Sequence, residues 1–229
     1  MVRENLQKIR SLIDETCKRA DRDPSEVLLV AVSKTKPADT IREAQAAGQI
    51  HFGENRVQEL VEKMEQLDES IQWHMIGTLQ TNKIKYMIDR VDWIESVHKG
   101  KALREIEKRA SRVKRIIQTL IQVNISGENQ KSGCEPDELR GILEYAQTLK
   151  WVKVRGLMGI AELTEDPEEV RPQFRLLRTL RDQHRDLENE NVTLNHLSMG
   201  MTHDFRVAIE EGSTMVRIGT AIFGEREYS

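Results

Sequence analysis

Strand-like and helix-like hydrophobic patterns alternate through almost all of this sequence, and that alternation restricts the fold more than any other feature. Apolar, β-branched runs predict strands over 27–33, 50–54, 72–76, 92–97, 116–125, 153–158, 193–198 and 214–223. Amphipathic 3.6-residue spacing predicts helices between them, over 38–48, 56–67, 80–90, 99–112, 136–149, 168–188 and 203–211. A further helix precedes the first strand, with Leu6, Ile9, Ile13, Thr16 and Cys17 on one face and Arg22-Asp23-Pro24 as its stop. Pro136 stands at the first turn of the 136–149 helix, where its missing N–H costs nothing. Strands alternating with helices form parallel βαβ units. Eight such units suit a closed (β/α)8 TIM barrel, for which about 250 residues is typical. The chain has 229. A doubly wound open sheet would usually carry a glycine-rich turn after its first strand. Here that turn is Ser33-Lys34-Thr35-Lys36-Pro37, and neither GxGxxG nor GxxxxGK[ST] occurs. No linker or composition shift divides the chain, so residues 1–229 are expected to form one barrel domain with an additional N-terminal helix.

Composition removes several function classes. The 35 Lys and Arg are nearly balanced by 38 Asp and Glu, a net charge of −3, which offers no electrostatic footprint for nucleic acid or an anionic membrane. No apolar run approaches membrane-spanning length. The N-terminus leads into an amphipathic pattern rather than a signal peptide. Cys17 and Cys134 stand far apart without a CxxC, and the six histidines show no HxxxH or HExxH. A disulfide scaffold and a bound metal are therefore not expected. The simplest expectation is a soluble cytoplasmic protein.

In barrels of this kind active residues gather at the C-terminal ends of the strands, with phosphate often held after strands seven and eight. The first strand, Leu28-Leu29-Val30-Ala31-Val32-Ser33, reads as buried on both faces and ends in Lys34. Taken alone, a lysine in that place is usually a solvated charge. At the edge of a pocket it can become an amine that attacks carbonyls. The seventh strand ends in Ser198-Met199-Gly200 and the eighth contains Gly219-Thr220. Singly these are ordinary turn residues, but together they stand where a phosphate is held by hydroxyls and backbone N–H groups. Arg217 lies within the apolar run 215–223, where an unpaired charge is expensive. It needs a carboxylate or a ligand atom as its partner. Pyridoxal 5′-phosphate offers both a phosphate and a carbonyl that lysine can capture.

Several blocks then match a known family in order. They are Val30-Ala31-Val32-Ser33-Lys34-Thr35-Lys36-Pro37, Phe52-Gly53-Glu54-Asn55, Trp73-His74-Met75-Ile76-Gly77 and Leu79-Gln80-Thr81-Asn82-Lys83. The match continues in Val123-Asn124-Ile125, Lys131-Ser132-Gly133, Arg155-Gly156-Leu157-Met158, Leu197-Ser198-Met199-Gly200-Met201 and residues 213–224. Over residues 27–224 the sequence resembles the pyridoxal phosphate homeostasis proteins, which include the cyanobacterial PipY branch. The resemblance implies a barrel like the N-terminal domain of alanine racemase, with the cofactor held as an aldimine on Lys34 rather than Lys36. It implies phosphate contacts from Ser198, Gly219 and Thr220, with Met199 and Gly200 nearby, and places Arg217 opposite the pyridine nitrogen. Asn55, His74, Asn124 and Met158 would line the pocket. Thr202 departs from the serine many members carry, and keeps the hydroxyl.

Racemisation on this cofactor needs acid–base groups on both faces of the substrate's α-carbon. Alanine racemase takes the second from a tyrosine of an additional domain. Here only five residues follow Gly224, so no such domain is expected, and Tyr86, Tyr145 and Tyr228 read as packing or surface residues. The expectation is therefore a non-catalytic carrier with no catalytic residue, monomeric, which supplies cofactor to apo-enzymes and so influences vitamin B6 and amino-acid balance. A low-activity amino-acid racemase is the alternative. A cofactor-free Schiff-base aldolase is a third. The charge-rich stretch 175–190 reads as the solvated face of a long helix that buries Leu176, Leu177, Leu180 and Leu187.

Overall fold

The computed structural model describes residues 1–127 and 132–225; Lys131 and Tyr228 lie outside the described residues. Eight parallel strands are present among those described: β1 (Leu28–Val32), β2 (His51–Glu54), β3 (Gln72–Met75), β4 (Trp93–Val97), β5 (Ile117–Val123), β6 (Val152–Gly159), β7 (Val192–Ser198) and β8 (Met215–Ile218). They pair in sequence order, and β8 pairs back onto β1, which closes the barrel. Register sets the floor of the site: Val30 faces Arg217, and Val32 faces Gly53.

Helices α1 (Val2–Arg19), α2 (Ala38–Ala46), α3 (Val57–Gln66), α4 (Gly100–Val113), α5 (Leu139–Ala146), α6 (Arg171–Gln183), α7 (Phe205–Glu210) and α8 (Thr220–Phe223) surround the strands. The main core lies between them and the outward strand faces. Phe52, Trp73, Ile94 and Ile121 pack there with Leu60, Leu103, Ile106 and Phe174, each at most 2% exposed. Each such side chain stabilises the fold by about 1.5–3 kcal/mol. Helix α1 buries Leu6, Ile9, Ile13, Thr16 and Cys17, the stripe read from the sequence. It is tied down by Asn5 Nδ2 donating to the Ile222 carbonyl (3.0 Å) and Arg10 Nη1 to that of Ala47 (3.0 Å). Among the described residues no helix is long and apolar enough to cross a membrane, and no group of three or more metal-ligating side chains lies together.

Local structure departs from the sequence reading at several places. The 214–223 strand ends at Ile218, because Gly219 leaves the extended conformation (φ −118°, ψ −72°) and its carbonyl accepts from the Ile222 and Phe223 amides. The apolar residues beyond it belong to α8. Pro136 precedes α5 instead of opening it, since a turn closed by Glu138 N to the Glu135 carbonyl comes first. The 80–90 helix is a 3₁₀ segment, Thr81–Tyr86. Its i, i+3 eclipse brings Ile84 and Met87 to one buried face as well as an α-helix would. The 168–188 helix is split into 3₁₀ turns Pro167–Val170 and Arg185–Leu187 around α6. Leu177, Leu180 and Leu187 are buried, but Leu176 is 37% exposed.

Candidate functional site

The C-terminal ends of β1, β2, β6 and β8 enclose a cavity of about 210 Å³, lined in part by Lys34, Asn55, Arg217, Gly219 and Thr220. Lys36, Ile76, Ile160 and Phe223 complete much of its wall. The strand pleat brings Val30, Gly53 and Ile76 together beneath it. A Cβ on Gly53 would lie 3.0 Å from Ile76 Cδ1 and 3.1 Å from Val30 Cγ1, so only glycine leaves those two side chains in place. Gly219 approaches β1 closely, and a Cβ there would meet the Val32 carbonyl oxygen at 3.0 Å. Thr220 follows at the start of α8, where the first backbone N–H groups have no partner inside the helix.

The turn that carries Lys34 is built by residues the sequence did not single out. Ser33 is fully buried, and Thr35 adopts a left-handed conformation with φ +64°. Lys63, reaching back from α3, donates to the Ser33 carbonyl (2.8 Å), Glu54 Oε1 (2.7 Å) and Glu59 Oε1 (2.6 Å). The Ser33 hydroxyl donates to Glu54 Oε1 (2.6 Å). Burial pushes the Glu54 carboxyl up to about 7, against the pull of Lys63 and Ser33. The available signal was Glu54 itself, a carboxylate at the tip of a buried strand.

Below the mouth, the barrel interior carries a chain of polar side chains. Arg217 donates through Nη1 to Ser198 Oγ (2.6 Å) and through Nη2 to the Gly159 carbonyl (2.9 Å). The Ser198 hydroxyl donates to Glu95 Oε2 (2.5 Å), and His74 Nδ1 lies 2.6 Å from Glu95 Oε1. A carboxylate only accepts, so that His74 nitrogen carries the proton. His74 Nε2 then meets His51 Nδ1 at 3.0 Å. The His74 ring stacks on Trp93, with centroids 5.5 Å apart and planes 1° from parallel. Burial alone would raise the Glu95 carboxyl, but His74, Arg217 and Ser198 outweigh it and hold it below its ordinary range. Burial draws the Arg217 guanidinium down, with Glu95 and Asp204 acting against it. The partner Arg217 required thus proves to be a carboxylate reached through a hydroxyl.

Of the residues expected at the site, Lys34, Asn55, Arg217, Gly219 and Thr220 come together at the cavity. His74 and Ser198 lie in the interior chain, fully buried. Met158 packs with Leu120 and Met215 in an apolar layer. Met199 is buried in the outer core. Gly200 (φ +95°) sits where a Cβ would meet Ala208 Cβ at 2.6 Å, and its carbonyl accepts from the Arg217 amide. Asn124 lies just beyond β5 and donates to Glu135 Oε1 (3.1 Å). Tyr86 is exposed, and Tyr145 packs against the outer core.

Burial, then neighbouring His74, lowers the His51 imidazole from its ordinary 6.5 to about 4. The folded protein therefore binds fewer protons there than the unfolded chain between those values. Stability from this group is full above pH 6.5 and is lost as pH falls toward 4. Glu54, raised to about 7, works in the opposite direction between its ordinary 4.5 and 7. The variant His51→Gln is expected to lose less of its urea midpoint between pH 6.5 and 4.5 than the wild type does. Parallel acid-side losses in the two proteins would refute this.

The family model for the N-terminal domain of alanine racemase matches residues 3–227. A pyridoxal phosphate homeostasis protein of Aquifex aeolicus is 49% identical over 227 residues, 98% of each chain. The chain belongs to the pyridoxal phosphate homeostasis proteins. A second member of the homeostasis proteins, from Pseudomonas aeruginosa, is 41% identical over 228 residues, covering 99% of this chain and 96% of that one. The structure of PipY from Synechococcus elongatus with pyridoxal phosphate bound superposes with a TM-score of 0.86 at 36% identity. That superposition covers 98% of this chain and 100% of PipY.

Proposed function

We propose that this chain holds pyridoxal 5′-phosphate as a Schiff base on Lys34 and releases it to apo-enzymes without turning over a substrate. In this reading it is a monomeric cytoplasmic protein that serves vitamin B6 homeostasis and amino-acid balance. The residues present fit the group. A lysine amine, a buried guanidinium and the Gly219–Thr220 backbone line one cavity of about 210 Å³, room for one substituted aromatic ring. When bound, the cofactor supplies an aldehyde for the amine and an electron-withdrawing ring.

Within this assignment Lys34 would hold the cofactor through its aldehyde, while Gly219 and Thr220 would hold the phosphate. Arg217 would face the pyridine nitrogen and, as a guanidinium that only donates, would keep that nitrogen an acceptor. Asn55 closes the β2 side. His74 and Ser198 act through Arg217, which they hold in place. Met158, Met199, Gly200 and Asn124, which the resemblance also assigns to the pocket, do not line this cavity and support the site from outside its wall. The observation that carries the non-catalytic reading is the composition of the cavity wall. Among its described residues the ionisable side chains are Lys34, Lys36 and Arg217, with no histidine, carboxylate or tyrosine beside them, and the Lys36 ammonium is turned to the Glu225 carbonyl. Removal and return of an α-proton from opposite faces needs two placed groups.

The loaded protein in deuterated buffer should exchange the α-proton of L-alanine no faster than free cofactor does. Exchange well above that background would replace the carrier with the racemase. Borohydride reduction followed by peptide mass spectrometry should place the cofactor on Lys34. A sugar-derived adduct there, without chromophore, would favour an aldolase.

A further inference from the structure

Lys63 stands outside the cavity wall, yet the residue is only 5% exposed and all three of its ammonium protons are engaged. An ordinary glutamate–lysine pair one helical turn apart is solvated and contributes a few tenths of a kcal/mol. This one is different because its lysine is buried and bridges two segments. The Ser33 carbonyl and the Glu54 carboxylate lie on the β1 and β2 sides, and Glu59 comes from its own helix. Glu59 Oε1 accepts in addition from the Thr35 amide at 2.5 Å. The residues immediately before and after Lys34 are therefore both fixed to a single ammonium centre, one directly and one through a carboxylate.

The backbone between them needs such a restraint. Thr35 is β-branched and sits at φ +64°, a conformation that persists only where surrounding contacts impose it. The Lys36 amide donates to the same Ser33 carbonyl that Lys63 holds (3.0 Å), so the ammonium also braces the turn from within.

We propose that Lys63, with Glu59 and Glu54, is the positioning group for Lys34: it sets the β1–α2 turn so that the Lys34 amine meets the cofactor's carbonyl carbon. The inference rests on Lys34 being the point of attachment. Lys63 does not line the cavity and acts only through the turn.

The test uses full-length protein loaded with pyridoxal 5′-phosphate. Lys63→Met removes all three bonds, Lys63→Arg keeps the charge, and Glu59→Ala removes the link to Thr35 from a partly exposed position. Cofactor release into excess semicarbazide should be about tenfold faster in Lys63→Met. A smaller acceleration is expected in Glu59→Ala, and partial rescue in Lys63→Arg. The pH midpoint of the visible band should move in the same variants. Release rates and band midpoints equal to wild type in Lys63→Met and Glu59→Ala would overturn the proposal. If Lys63→Met does not fold, Glu59→Ala decides alone. A wild-type protein with no visible band, or a Lys34→Ala protein that keeps it, would bring down the attachment reading itself and this inference with it.

Discussion

Lys34→Ala protein, incubated with pyridoxal 5′-phosphate and desalted, should be colourless where the wild type is yellow. The visible band requires an imine between ring aldehyde and an amine, and in this cavity Lys34, two residues past β1, carries the amine we assign to it. The methyl group that replaces the lysine chain enlarges the cavity and leaves Arg217, Gly219 and Thr220 untouched. Phosphate affinity should therefore persist as weak, colourless binding, reduced about a hundredfold or more, since every tenfold corresponds to about 1.4 kcal/mol. Lys36 provides the internal control. It too lines the cavity, but its ammonium donates to the Glu225 carbonyl at 2.8 Å. Lys36→Ala should keep the colour. If Lys34→Ala stays yellow and Lys36→Ala does not, the attachment belongs to Lys36 and the role given to the β1 turn is wrong.

The barrel was legible because eight apolar runs each buried an outward face against a helix, a demand that periodicity expresses directly. It was misread where apolar residues continued past a change of backbone direction, as from Ile218 through Gly219 into Thr220–Phe223. Part of the cavity rim was legible for a related reason: Lys34 interrupts a strand pattern at its end, whereas Gly219 and Thr220 lay inside the 214–223 run and Asn55 came from the family resemblance. What lay further inside was not. Glu95 stands in Trp93-Ile94-Glu95-Ser96-Val97, a run whose one carboxylate demands a partner as plainly as Arg217 does in its own. The two strands are far apart in sequence, and only closure of the barrel shows that a serine from β7 joins them. The Lys63 network was hidden similarly, since its helical spacing with Glu59 looks the same as that of any exposed pair.

The interior chain leads to the largest expected change in stability. Glu95 has no measurable exposure and accepts from both Ser198 and His74 while neutralising Arg217 through the serine hydroxyl. Glu95→Leu would leave the guanidinium as a buried charge with a hydroxyl and one carbonyl for company, and the His74 Nδ1–H without an acceptor. Breaking a buried charged pair from one side costs about 3–5 kcal/mol, and urea unfolding should register a loss of that size. Glu95→Gln preserves shape and one acceptor oxygen, so its loss should be nearer 1–3 kcal/mol. The decisive comparison adds Arg217→Met to Glu95→Leu. Replacing both members of a buried pair by apolar side chains of similar bulk is often close to neutral. The double variant should therefore be more stable than Glu95→Leu alone, a coupling that a double-mutant cycle reads directly. Simple addition of the two single losses would mean that Glu95 and Arg217 are held independently, Glu95 by the histidines and Arg217 by Gly159. In that case the chain from His51 to the cavity would be two separate clusters that happen to share a serine.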